Sequence, residues 1–169
     1  MANQPRYDPL EASTFFKDGQ SARSLPPGTV ARGEFRLDAH FYQGMAGGVP
    51  AKTFPFAVTL EVLQRGRERY NIYCAPCHSR TGDGDGMIVR RGFTRPPSLH
   101  SQHMREHPPG HFFRVISDGF GRMPDYRQQI SPHDRWAIVA YIRALQLSRN
   151  ASLIDVPPDK RAELDGGQP

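Results

Sequence analysis

Residues 74–78 read Cys-Ala-Pro-Cys-His, and they contain both cysteines of the chain. Two thiols three positions apart, followed at once by an imidazole, admit four chemistries. They could close a small disulfide loop, supply part of a zinc site, form a thioredoxin-like dithiol, or attach haem covalently. Two cysteines are too few for the disulfide framework of a small secreted domain. Zinc needs two further ligands, and a redox dithiol needs a βαβ setting. The histidine directly after the second cysteine selects the last reading, because in C-x-x-C-H each thiol adds to a haem vinyl group and the imidazole reaches the iron. Cys74 and Cys77 are then the attachment residues of a single haem c, and His78 is the proximal iron ligand. Its other ring nitrogen needs an acceptor to fix the tautomer, most simply a backbone carbonyl. The proline pair in TRPPSL is the expected source, which places Pro97 among the cofactor-binding residues.

The sixth iron ligand decides what such a haem does. Candidates are Met45, Met87, Met104 and Met123, with histidines at 40, 100, 103, 107, 111 and 133. Met123 is favoured, since FGRMPDY sets it between a helix-ending glycine and a proline, in a loop stiff enough to aim a thioether. Met87 follows the turn-rich GDGDG, and Met104 sits in LHSQHMREH; packing or exposure is the expected role of both. His100, His103 and His107 form the main rival source of a ligand. Iron bound by His78 and Met123 has no open position, and thioether ligation favours the reduced metal. One-electron transfer is therefore expected, not catalysis by the chain alone. A peroxidase or reductase would need Met123 displaced and a distal acid–base group, for which no histidine is visibly arranged.

The elements that must position these residues are helices. Thr59 can cap a helix through LEVLQRGRERYNIY that runs straight into the cysteines, with Leu63, Gly66 or Arg67, and Tyr70 at helical spacing. PGHFFRVISDG predicts a short helix stopped by Gly119. SPHDRWAIVAYIRALQL carries the clearest signals: Ser131 as cap, Pro132 at the first position, Asp134 in the first turn, and a stripe of Ile138, Tyr141, Ile142 and Leu145. Before residue 58 prolines and glycines recur without a period, and after 149 the chain turns polar. The expected organisation is a docking arm over 1–57, a haem domain over 58–149 and a tail over 150–169. Neither βαβ alternation nor an internal repeat is visible, so the dithiol reading loses its setting. The net charge of +5 is almost all arginine, with no Lys/Arg block of the kind that binds nucleic acid.

GRERYNIYCAPCH, then PPSL, then GRMP, then WAIVAYIRAL resembles a class I cytochrome c over roughly residues 58 to 148. The resemblance implies a mainly α fold in which Gly66 and Tyr70 of the first helix cross the last helix at Tyr141, as close approach at a glycine allows. The arm, through NQPRYDPLEASTFF, KDGQSAR and GTVARG, is similar to the mono-haem cytochrome subunit of alternative complex III. That similarity implies a place in a membrane quinol-oxidising complex, with a multihaem cytochrome as donor and a later cytochrome or oxidase as acceptor. A free shuttle of the same chemistry is the alternative, and the aromatic-rich arm argues against it. The implied location is the periplasmic side of the bacterial cytoplasmic membrane, peripheral or lipid-anchored. MANQPRYDPLEAS has no apolar signal region; since haem attachment of this kind takes place outside the cytoplasm, a processed leader or an anchor absent from these residues is expected.

Overall fold

The computed structural model describes residues 4–30 and 35–165. The chain divides into two compact units, 1–36 and 37–169. In the second, the elements are α1 (Ala39–Gln43), β1 (Met45–Ala46), β2 (Val49–Pro50), α2 (Leu60–Tyr73), α3 (Ala75–His78), α4 (Met87–Arg90), α5 (Gln102–Glu106), α6 (Pro109–Asp118), α7 (Pro132–Ser148), a 3-10 turn (Leu153–Asp155) and α8 (Pro158–Asp165). The two long helices begin where their caps direct. Thr59 Oγ1 accepts from the Val62 N–H at 3.4 Å, and Ser131 Oγ from the Asp134 N–H at 3.1 Å. Each thus satisfies one of the donors that a helix start leaves free.

α2 lies across α7, and the crossing is closed at Gly66. A Cβ on that residue would run into the Ala137 carbonyl and stand 3.1 Å from the Tyr141 Cβ. No side chain fits there, which is why the sequence places glycine on the contact face. One turn on, the fully buried Tyr70 meets Tyr141 edge to face, with centroids 5.4 Å apart. Arg65 fixes one end of the crossing by two hydrogen bonds to Asp134, of 2.7 and 3.0 Å.

α7 is buried over more of its circumference than its expected stripe. Trp136, Ala137, Ile138 and Val139 are all fully covered, while Tyr141 and Leu145 are only half-buried. The added coverage comes from α6 and from residues assigned by sequence to the arm. Trp136 stacks on Phe113 of α6 at 4.6 Å, meets Phe54 at 5.7 Å, and donates its indole N–H to the Phe41 carbonyl at 2.9 Å. The β1–β2 hairpin is tied to α6 through Ala51, whose N–H donates to the Gly44 carbonyl and whose carbonyl accepts from the Gly110 N–H, both at 2.9 Å. A Cβ on Gly110 would strike Gly44 and Ala51. The compact unit consequently starts at Leu37, not at 58. Phe41, which falls in the stretch expected to be a docking arm, packs on this domain's own core. Elements of two to five residues carry too little periodicity to be read, and HFYQGMAGGVP looks like a glycine-rich linker for that reason.

The first unit contains a small closed turn. Ala12 bridges Gln20, the Ser13 N–H donates to the Gly19 carbonyl at 2.9 Å, and Arg23 pairs with Asp18 while covering the Phe16 ring at 4.3 Å. KDGQSAR thus supplies the turn glycine, at φ +71°, and both members of an ion pair. The later GTVARG motif runs into residues 31–34, which lie outside the described residues. The tail after Asn150 carries the 3-10 turn and α8. Among the described residues no helix is long and apolar enough to cross a membrane.

Replacing Gly66 by alanine adds one methyl where the partner is backbone, so relief requires the helices to separate. A loss of about 1–3 kcal/mol is expected in denaturant unfolding of the holoprotein. Wild-type stability in Gly66→Ala would mean that α2 and α7 do not meet in this way.

Candidate haem-binding site

α2 delivers the cysteine motif directly. Cys74 ends that helix, its N–H donating to the Tyr70 carbonyl, and its own carbonyl accepts from Cys77 at 3.1 Å and His78 at 2.8 Å. One helical turn therefore carries both sulfurs and the imidazole. The buried Tyr70 reaches beyond that turn and donates its hydroxyl proton to the Ser79 carbonyl at 2.9 Å. Helix crossing and attachment motif are thereby joined by one side chain.

After Ser79, which takes φ +62°, the chain doubles back over the motif. The Gly84 N–H donates to His78 and the Gly86 N–H to Cys77, at 2.9 and 3.0 Å. Side chains are excluded on this return: a Cβ on Gly86 would strike the Pro76 carbonyl, and one on Gly84, at φ +75°, the Pro96 carbonyl. The spacing of GDGDG is the record of that wrap. Asp83 clasps the loop to the end of α7 by accepting from both terminal nitrogens of Arg149, and it accepts from Thr81 Oγ1 at 2.6 Å. These donors, Arg149 foremost, hold its carboxyl down to about 2.

The two cysteines form no disulfide. Although Cys74 keeps some exposed surface, burial of its sulfur, with Cys77 beside it, pushes its thiol up to about 12. A redox dithiol needs the opposite, a thiolate stabilised near neutral pH. Burial also holds His78 below the usual imidazole range, which keeps the ring neutral and its lone pair available to a metal. Its Nδ1 is buried without a hydrogen-bond partner. The expected acceptor in the proline pair is not engaged: Pro97 is exposed, and the Pro96 carbonyl is turned onto Gly84.

Met123 stands in a closed turn, exchanging backbone hydrogen bonds of 3.0 Å with Phe120. It packs half-buried on the same core as Tyr73, Cys74 and Tyr126. Tyr126 anchors the loop, its N–H donating to the Ile116 carbonyl at 2.9 Å and its ring meeting Tyr73 at 6.3 Å. Burial raises its phenol, and Cys77 and Cys74 add to the shift, so this ring stands near the thiols. The other ligand candidates are placed differently. Met87 is exposed on α4; His100 is bound to the Thr81 carbonyl at 2.6 Å, His40 to the Thr53 carbonyl at 2.8 Å, and His133 stacks on Phe56. His103 meets His107 edge to face, His107 stacks on His111, and Met104 packs on the core. Tyr126, Ser79 and the Asp83–Arg149 clasp escape a sequence reading, since each acts through a contact that no local pattern announces.

The residues present fit a covalently attached haem. Two cysteines outside any disulfide and a neutral, half-buried imidazole share one turn, with a buried ring nitrogen lacking a protein partner and a methionine loop on the same core. Residues 61–142 match the family model described as cytochrome C oxidase, cbb3-type, subunit III. The fold is that of a class I cytochrome c, mostly helical with little strand, and its cofactor is covalently bound haem c. Among solved structures, the chain is similar to the reducing HAO-like protein complex of Kuenenia stuttgartiensis, with 22% identity and a TM-score of 0.49 over 63% of this chain and 53% of that one. A comparison with curated proteins gave no match.

The clasp has a pH signature. Asp83 is depressed in the fold, so its contribution to stability is full above the ordinary carboxylate range and is lost as pH falls through about 2. Asp83→Asn should melt below wild type at neutral pH, with the gap closing under strong acid. A gap that persists unchanged at the acid limit would show that the charge is not what matters.

Proposed function

We propose that this chain carries single electrons on one haem, held through Cys74 and Cys77 and ligated by His78 and Met123. Haem-mediated electron transfer is the chemistry of the domain itself. The ligand pair rests on one observation, the convergence of the attachment turn and the Met123 loop on a common core through Tyr73 and Tyr126. When bound, haem c supplies a one-electron couple. The protein's part is to keep His78 neutral, to hold both thiols on one turn, and to offer a thioether from a braced loop. A thioether raises the potential by favouring the reduced metal.

The chain further serves, on this reading, as a subunit of a membrane quinol-oxidising complex of the alternative complex III type. It works at the periplasmic face, taking electrons from a multihaem cytochrome and passing them to a later cytochrome or oxidase. Support comes from the arm motifs. It comes also from a first unit that is compact by itself yet leaves Leu10, Phe15, Leu25 and Phe35 each at least 70% exposed. Docking on neighbouring subunits supplies the apolar cover these side chains lack.

Two experiments separate the parts of this proposal. Met123→Leu should lower the potential by a sizeable fraction of the roughly 0.8 V that axial ligands span, whereas Met87→Leu and Met104→Leu should leave it nearly unchanged. The reverse order would assign the ligand to another loop. Because residues 37–57 build the core, the arm is tested by deleting 1–36 only. Haem content and spectrum should survive while recovery with the membrane complex is lost; equal recovery would defeat the docking assignment.

A further inference from the structure

Outside the haem site, three imidazoles form a row at the junction of α5 and α6. The Nε2 atoms of His103 and His107 lie 3.2 Å apart, and the His107 ring stacks on His111 with centroids 3.8 Å apart at 12°. The backbone beneath them is fixed. Arg143 of α7 donates to the Arg105 carbonyl at 3.2 Å and to the His107 carbonyl, which ties the end of α5 to the core. His103 is exposed and His107 half-buried.

We propose that His103 and His107 form a surface site for a first-row transition-metal dication. Metal–imidazole bonds run about 2.0–2.1 Å, so two nitrogens 3.2 Å apart subtend about 100° at a shared metal. That angle lies between the square-planar and tetrahedral values preferred by Cu(II) and Zn(II), and imidazole suits both metals. Among the described residues no group of three or more His, Cys, Asp or Glu is arranged to hold a metal ion. The site therefore has two protein ligands, with water completing the shell. His111 stacks on His107 and orients it without ligating, and its own basicity is lowered chiefly by burial. The competing account of the same distance is an N–H···N hydrogen bond between complementary tautomers, which binds no metal.

The probe is Zn²⁺, which has no redox chemistry to disturb the iron, titrated calorimetrically into ferric full-length holoprotein. One ion per chain should bind to this site. Loss of an outer-shell partner alone costs about 10- to 100-fold in metal affinity, so His103→Gln or His107→Gln should each cost at least about tenfold. His111→Gln should cost less than either. The two ligand variants keep the wild-type haem spectrum, since neither residue touches the cysteine turn. No zinc binding by the wild type overturns the proposal, as does binding that survives undiminished in the His103→Gln/His107→Gln double variant.

Discussion

Everything in this domain depends on the contact between the α2 backbone at Gly66 and the α7 carbonyl of Ala137. Because no side chain intervenes, the helices approach closely enough for Tyr70 to be sealed against Tyr141. Tyr70 in turn bonds Ser79, the residue immediately after His78. The orientation of the Cys74–His78 turn is thus inherited from a helix crossing two turns upstream. Burial of the phenol also requires that its hydroxyl find a partner, and the Ser79 carbonyl satisfies it.

A second path reaches the same turn from the far end of α7. Arg149 grips Asp83, and the loop bearing Asp83 lies over the cysteines through Gly84 and Gly86. The attachment turn is therefore held from two points along one helix, by a buried contact near Ala137 and a more exposed ionic one at Arg149. The two differ in kind. Backbone packing is indifferent to salt and pH, while a half-exposed ion pair is screened by salt and adds modest stability. Met123 comes from a third direction, on the loop between α6 and α7, and Tyr126 sets that loop's height over the core.

What could be read from sequence was whatever chemistry or capping writes locally. Cys74, Cys77 and His78 are contiguous enough to define a cofactor, and Thr59, Ser131 and Gly119 mark helix ends that the structure reproduces. The stretch from 37 to 57 was illegible because its elements are short and its partners lie far along the chain. The Phe41 carbonyl is bonded to a tryptophan in α7, and Ala51 to a glycine in α6. Tyr126 is illegible for the same reason: a lone tyrosine after Met-Pro-Asp has no periodic neighbour, and its value lies in standing near the cysteines some fifty positions earlier.

The central claim is that the iron is held between His78 and Met123, and proton NMR of the reduced holoprotein addresses it directly. A methionine methyl bound over the haem face is shifted far upfield by the ring current, as a resolved three-proton signal. The account requires that signal to belong to Met123, with close contacts to Tyr126 protons. Its assignment to Met87 or Met104, or its absence from the spectrum of intact protein, would contradict the account.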